Sequence, residues 1–277
     1  MTNVKEKKTN KTISIIVCLA LLMGLWEFIA FYLDKMLKDP MAVKKLPYLH
    51  SVIAKIFTDF DSLFSAVMFT FTKALQGFAI GSVIGICIAI FMSFHKSLEK
   101  MILPYMIVLQ MIPILALAPI VYTVVKDSGM SRTVLAAFIT FFPVAVNMYQ
   151  GLRSVDNDKK DLMRILAARR ITVYTKLMFP FSRQYLFTGL KLAAPSAVTA
   201  AVLVEMMGSS EGIGFKILSS LYYGATGAIN FWASVVMASL MGISTYLLVV
   251  LIEKLTTPGV ITLKTFKRRR GAENEQS

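Results

Sequence analysis

Six runs of mostly apolar residues, each long enough to cross a bilayer as a helix, constrain this chain more than any other feature. They occupy residues 13–33, 65–94, 101–125, 133–152, 186–207 and 231–252. A spanning helix needs about 20 such residues, because the hydrocarbon layer is about 30 Å thick. Lipid offers no partner to a free backbone N–H or C=O, so runs of this length span as helices. The composition agrees: 56% of residues are hydrophobic, only 17% are charged, and mean hydropathy is +0.64. A soluble domain carries more charge and less apolar surface. The expected fold class is therefore all-α, a polytopic membrane protein with six transmembrane helices. The first run is too long and lacks the small-residue cleavage site of a secretion signal.

Basic residues orient the spans. With a cytoplasmic N-terminus, 20 of the 30 Lys and Arg fall in inside segments and eight in outside segments. That bias places both termini in the cytoplasm. The net charge of +14 follows membrane sidedness rather than a groove, which argues against a nucleic-acid partner. The cluster Lys267–Arg270 reads as a topology anchor beside the last span. The chain divides into a cytoplasmic tail (1–12), a first span with its outer loop (13–62), a core (63–258) holding a cytoplasmic loop (156–183), and a basic cytoplasmic tail (259–277). Cys18 and Cys87 lie within apolar runs and read as small buried hydrophobes. No metal-ligand spacing and no phosphate loop occurs, so neither cofactor nor ATP hydrolysis is expected of the chain. His50 and His95 fall on opposite sides and form no joint site, which argues against an enzyme.

The loop reads NDKKDLMRILAARRITVYTKLMFP over residues 157–180. Asp158 is placed to cap a helix, with Asp161 three residues on. Leu162, Ile165 and Leu166 then share one face. Arg169 and Arg170 close the helix at its negative end. Thr172 is placed to cap a second short helix carrying Val173, Tyr174, Leu177 and Met178, which Pro180 stops. Ser182 is placed to cap the fifth span. Two readings fit such a pair: it lies on lipid headgroups, or its apolar face enters a groove in a cytosolic partner.

Residues 161–180 resemble the cytoplasmic "EAA" loop of permeases of binding-protein-dependent ABC importers. The acid falls at Asp161, the two alanines at Leu162 and Met163, the glycine at Ala167, the aromatic at Tyr174 and the Leu-Pro at Phe179-Pro180. The spacing holds without a gap while several identities differ. Alanine avoids the positive φ that glycine reaches freely, so the turn at Ala167 is expected to differ. Leu162 and Met163 make the face bulkier, which implies a co-adapted ATPase groove. Further along, residues 70–81 (TFTKALQGFAIG), Ile112-Pro113 with Ala116 and Pro119, Gly189-Leu190-Lys191, and Glu205-Met206 with Gly212-Ile213-Gly214 are similar to segments of the sulfonate, taurine, nitrate and vitamin-precursor subfamily.

This resemblance implies a type I ABC importer-like permease fold, two permease subunits (identical or not), cytosolic ABC ATPase subunits and an extracytoplasmic solute-binding protein. It also implies an ATPase-coupling loop formed by Asp161, Leu162, Ile165, Leu166, Ala167, Arg170, Tyr174, Leu177 and Pro180. The rival is an autonomous channel or secondary carrier with the loop lying on lipid, although no inverted repeat or intramembrane carboxylate pair points to one.

Pathway candidates come from broken helices and intramembrane polar groups. Pro104, Pro113 and Pro119 are expected to break span three, Pro143 span four and Pro195 span five. Gln110, Pro113, Pro119, Tyr122, Thr140, Asn147 and Glu205 are the candidate wall. Glu27 also lies within a span, and Lys73 and Lys191 sit near span ends where they can snorkel. The glycine-rich stretch 208–214 reads as a re-entrant turn or part of an outer gate.

Overall fold

A computed structural model describes residues 2–36, 45–222 and 224–256. The basic cluster Lys267–Arg270 and the tail 259–277 lie outside the described residues. Eleven helices run along the described chain: α1 Thr2–Phe31, α2 Leu49–Thr58, α3 Phe60–Ser93, α4 Lys96–Gln110, α5 Ile114–Val125, α6 Ser128–Arg153, α7 Asn157–Ile165, α8 Arg170–Val173, α9 Phe179–Gly208, α10 Ile213–Ser220 and α11 Gly224–Thr256. π-Helical turns follow α1 (Tyr32–Met36) and α8 (Tyr174–Met178). No strand occurs among the described residues.

Four helical stretches are long and apolar enough to cross a membrane: Phe60–Ser93, Ser128–Arg153, Arg170–Gly208 and Gly227–Thr256. Lys96–Gln110 and Ile114–Val125 pass the same test together and make a fifth if a broken pair counts as one crossing. The first expected span falls on α1 and the π turn after it. The third differs from expectation. Only Pro113 interrupts it, as the extended N-cap residue of α5, whereas Pro104 and Pro119 lie inside helices. A proline near a helix start loses no bond that was available, which is why position 113 is the one that turns the chain. Pro143 and Pro195 are likewise inside unbroken helices. Cys18 and Cys87 are exposed rather than buried. Cys87 lies on Phe60–Ser93, which is long and apolar enough to cross a membrane, and there an apolar surface faces lipid at no cost.

The chain divides into two compact units, and α3, α6, α9 and α11 each supply residues to both. The first unit comprises Met1–Gln76, Pro113–Ala136 and Val198–Met241. Its core gathers Val52, Leu63, Val67, Ala74, Val198, Ala201, Ile213 and Met237. Glu27 supplies what α2 lacks at its start. Tyr48, the N-cap residue, offers no side-chain bond, and the Leu49 N–H donates to Glu27 Oε2 at 2.8 Å while His50 Nδ1 stands 2.6 Å from Oε1. A carboxylate at a helix N-terminus satisfies a free donor and meets the positive end of the dipole. Trp26 Nε1 donates to the Pro47 carbonyl at 3.0 Å, and its ring meets Trp232 edge-on.

The second unit comprises Gly77–Ile112, Ala137–Ala197 and Gly242–Ser277. Met92, Met106, Val144, Met148, Leu152 and Leu186 form its core. Here α6 packs against α9 through small residues. A Cβ at Gly189 would come 2.7 Å from the Pro143 carbonyl oxygen, and one at Gly151 would come 2.8 Å from Ser182 Cα. Without a hydrophobic drive between helices in lipid, such close backbone approach supplies the packing. Lys191 pairs with Glu253 at 2.7 Å, so it does not depend on snorkelling, and Arg183 donates to the Thr256 carbonyl at the end of α11.

Candidate functional site

The polar insert folds as two short helices joined by a tight turn, α7 and α8, all in the second unit. Asp156, not Asp158, is the N-cap residue of α7, and no side-chain cap bond forms there. Asp158 stays in the first turn at the positive end of the dipole. Asp161 forms an exposed ion pair with Arg164 at 2.7 Å instead of closing a capping box.

Helix α7 ends in a hydrogen-bond pattern that explains the glycine of the related loops. The Ala168 N–H donates to the Met163 carbonyl at 3.0 Å and the Ala167 N–H to the Arg164 carbonyl at 2.9 Å. This pair of bonds is the Schellman motif, which needs a left-handed residue just past the helix. Ala167 takes that conformation with φ 49°, contrary to the expectation that alanine would avoid it. Left-handed backbone costs an L-residue about 1–2 kcal/mol. Two carbonyls of α7 that would otherwise be unpaired offset that cost.

The second helix starts at Arg170 with Arg169 as its cap residue, so Thr172 lies inside it rather than capping it. Pro180 does not stop it: helical structure runs from Arg170 to Gly208. A proline presses on the carbonyl four residues back, here Lys176. That residue lies in the wider π turn, where the crowding is relieved. Ser182 does not cap this span either; its hydroxyl donates to the Phe179 carbonyl within α9.

The apolar faces divide. Leu162, Ile165 and Leu166 on α7 are exposed, and so is Ile171 on α8, with Ile165 81% and Ile171 72% accessible. Leu177 is buried, Tyr174 is half-buried, and Met178 packs on the core of this unit. Arg170 and Pro180 are exposed. Three contacts fix the pair in place. The Tyr174 hydroxyl shares a hydrogen bond with Ser93 at 3.0 Å, its ring meets Phe94 edge-on, and the Lys159 ammonium sits 4.2 Å over the Phe181 ring. Ion pairing of Arg153 with Glu99 holds the preceding helix end. Ile171, Ser93 and Phe94 did not stand out in the sequence. Ile171 could have been found from its 9-residue spacing to Leu162 only with the turn geometry in hand.

The pathway candidates fall in both units. In the second, Gln110 is exposed, Thr140 is buried against Gly81, and Asn147 Nδ2 donates to the Pro143 carbonyl at 2.8 Å. In the first, Pro113 and Pro119 are exposed, while the Tyr122 ring covers Gly208, where a Cβ would come 2.9 Å from it.

Glu205, also in the first unit, is 0% exposed. Its carboxylate accepts from Arg132 Nη1 at 2.7 Å, Thr70 Oγ1 at 2.8 Å and the Gly214 N–H at 2.9 Å. Arg132 is 2% exposed, donates through Nε to the Ser128 carbonyl, and lies 4.3 Å from the centre of the Phe69 ring. By the span boundaries Arg132 falls just before the fourth apolar run, where it counts as an outer-segment cation. A spacing of 73 residues gives no sequence signal for this partnership.

Comparison with known proteins agrees with this architecture. Residues 62–260 match the family of binding-protein-dependent transport system inner membrane components. The formylaminopyrimidine transport permease protein ThiX of Halalkalibacterium halodurans is 30% identical over 196 residues, 70% of this chain and 76% of that protein. The nitrate import permease protein NrtB of Synechococcus elongatus is 24% identical over 260 residues, 92% and 93% of the two chains. A crystal structure of an amino acid ABC transporter with histidines has the same fold at TM-score 0.58 and 16% identity, covering 73% of this chain and 97% of that one. The matched region takes in α3, the α7–α8 loop and α9, and the chain belongs to the family of binding-protein-dependent inner-membrane transport permeases: a multi-pass cell-membrane protein of ABC transporters, and not an enzyme.

Proposed function

We propose that this chain is the transmembrane subunit of an ATP-driven importer. It crosses the membrane six times with both termini cytoplasmic, α1 being the first crossing and the broken α4–α5 pair the third. Two permease subunits, identical or not, enclose the pathway. Two cytosolic ATPase subunits drive it, and an extracytoplasmic binding protein delivers the solute. The solute is small and polar: a sulfonate, a nitrate-like anion or a vitamin precursor. The names of the two relatives support that range, being those of permeases for formylaminopyrimidine and for nitrate.

One observation carries the coupling role. Leu162, Ile165, Leu166 and Ile171 are all exposed on a helix pair that is itself anchored through Tyr174 and Lys159. An apolar helix face held rigidly is suited to enter a groove in a partner. The ATPase would pull on this pair as a lever, and the pathway would alternate between outward and inward states.

The test is purification of the tagged chain from native membranes in mild detergent, with mass spectrometry of its companions. Wild type is expected to bring an ABC ATPase in stoichiometric amount. Leu166→Asp is expected to insert normally yet lose that ATPase and transport. An ATPase-free chain that transports in vesicles without ATP would establish an autonomous carrier instead.

A further inference from the structure

The stretch 208–214 has the glycine content of an anion-binding loop, and the structure shows which anion fills it. Gly212 has φ 101°, and a Cβ there would fall on the Glu205 carboxylate; a Cβ at Gly214 would collide with the Val202 carbonyl and with Glu205. The Gly214 N–H donates to Glu205 Oε2, and the Ile213 N–H donates to Thr70 Oγ1, which also bonds the carboxylate. Consecutive backbone donors turned toward one point form a nest for negative charge. Helix α10 begins at the same place, with its positive end toward that charge. The nest is filled by a side chain of the protein itself, and no room is left for a ligand.

We propose that Glu205 is a positioning residue that fixes the 208–214 turn and α10 to the first-unit portions of α3, α6 and α9, so that this outer segment is a fixed ledge and not a moving gate. A gate must leave its contacts in one state and find others in the second. Here departure would strand the Glu205 carboxylate, the Arg132 guanidinium and two backbone N–H groups in a buried setting. Breaking a buried pair leaves an uncompensated charge, and within a membrane protein water is not at hand to take its place. A second tie, from Lys216 Nζ on α10 to Ser62 Oγ on α3 at 2.7 Å, holds the far side of the ledge. The inference rests on the permease reading for its transport measurement and for the comparison with and without ATP; the effect of Glu205→Gln on labelling stands apart from that reading.

The experiment uses the complete transporter in vesicles, in a Cys18→Ser/Cys87→Ser background. Ile213→Cys, a buried position, reports accessibility to a small thiol reagent with and without ATP. The expected result is no more than trace labelling in either state, rising by about tenfold or more when Glu205→Gln is added, as local opening does. In parallel, Ser62→Cys/Lys216→Cys is bridged by a bis-methanethiosulfonate of about lysine length, which forms a disulfide with each thiol as methanesulfinate leaves and is released by a reductant. The bridged transporter is expected to keep more than about half its rate, because a tie between parts that do not separate removes no accessible state. Labelling of Ile213→Cys during turnover, or reversible arrest of transport on bridging, would overturn the fixed ledge. Unchanged labelling in the Glu205→Gln variant would overturn the role of Glu205. If the chain proved not to transport at all, the unbridged protein would be silent too, and the labelling of the Glu205→Gln variant would still decide the role of Glu205.

Discussion

Arg132 Nη1 lies 2.7 Å from Glu205 Oε1, a contact between α6 and α9 in which neither side chain reaches the surface. Among the described residues, each charge finds its one ionic partner in the other. Arg132→Leu is therefore expected to destabilise the protein by about 3–5 kcal/mol, the cost of an unpaired buried charge. Arg132→Leu/Glu205→Leu is expected to recover part of that loss, but not all, because the Gly214 N–H loses its acceptor, while the Thr70 hydroxyl keeps the Ala66 carbonyl. Thermal unfolding of the detergent-solubilised variants measures both. A double variant less stable than Arg132→Leu would show that the carboxylate is the more important member.

At Ala167 the backbone already occupies the conformation glycine would prefer. Ala167→Gly is expected to stabilise the loop by up to about 1 kcal/mol, the left-handed penalty less the added freedom of the unfolded chain. Ala167→Val is expected to destabilise it, since branching at Cβ is poorly tolerated at positive φ. Protease cleavage rates within 156–170 report both changes, and a Val variant as resistant as wild type would contradict them.

Tyr174 joins the loop to the end of α3 through its hydroxyl and through its ring. Tyr174→Phe keeps the ring contact and loses one hydrogen bond, worth about 0.5–1.5 kcal/mol. Tyr174→Ala loses both and leaves a space beside Phe94, so its effect is expected to be clearly larger. Hydrogen exchange of amides 170–178 distinguishes them; equal protection in the two variants would mean that the ring carries none of the attachment.

The Lys55 ammonium, 2.9 Å from the Asp59 carboxylate and hydrogen-bonded to it, holds that carboxyl below its ordinary value. A depressed folded-state value contributes stability that is present above the unfolded carboxylate range, about pH 3.9, and is lost as pH falls through the depressed value. The pair is partly exposed, so the effect is small. Melting temperature measured from pH 7 downward is expected to fall more for wild type than for Lys55→Met. Parallel curves would assign the acid sensitivity to other groups.

Helix-forming apolar runs were legible in the sequence because length and hydropathy are local properties. So was the short helix that opens the loop, with a turn and further helix after it, from periodicity and charge order, although the second helix begins at Arg170 and not after Thr172. Three kinds of feature were not. Helix ends at Asp156, Arg169 and the π turn depend on which backbone bonds win once the chain is packed, and Pro180 looks like a stop in the sequence because a π turn has no residue signature. The orientation of Tyr174, Leu177 and Met178 toward the second-unit core depends on what α3 and α6 present to them. Arg132 looked like a loop cation because its partner lies far away in the chain. Charge counting sees only the neighbourhood of a residue.

Glu205 and Gly212 occupy one shared volume, since any β-carbon at position 212 would fall where the carboxylate now stands. A side chain at 212 is excluded twice, by that carboxylate and by the φ of 101° that favours glycine, whereas a shorter residue at 205 leaves Gly212 undisturbed. The dependence runs one way: loss of the glycine would displace the acid, and with it the partner of Arg132. Sequence drift at these three sites is expected to be correlated, and a comparison of many relatives would find it as covariation rather than as three independent preferences.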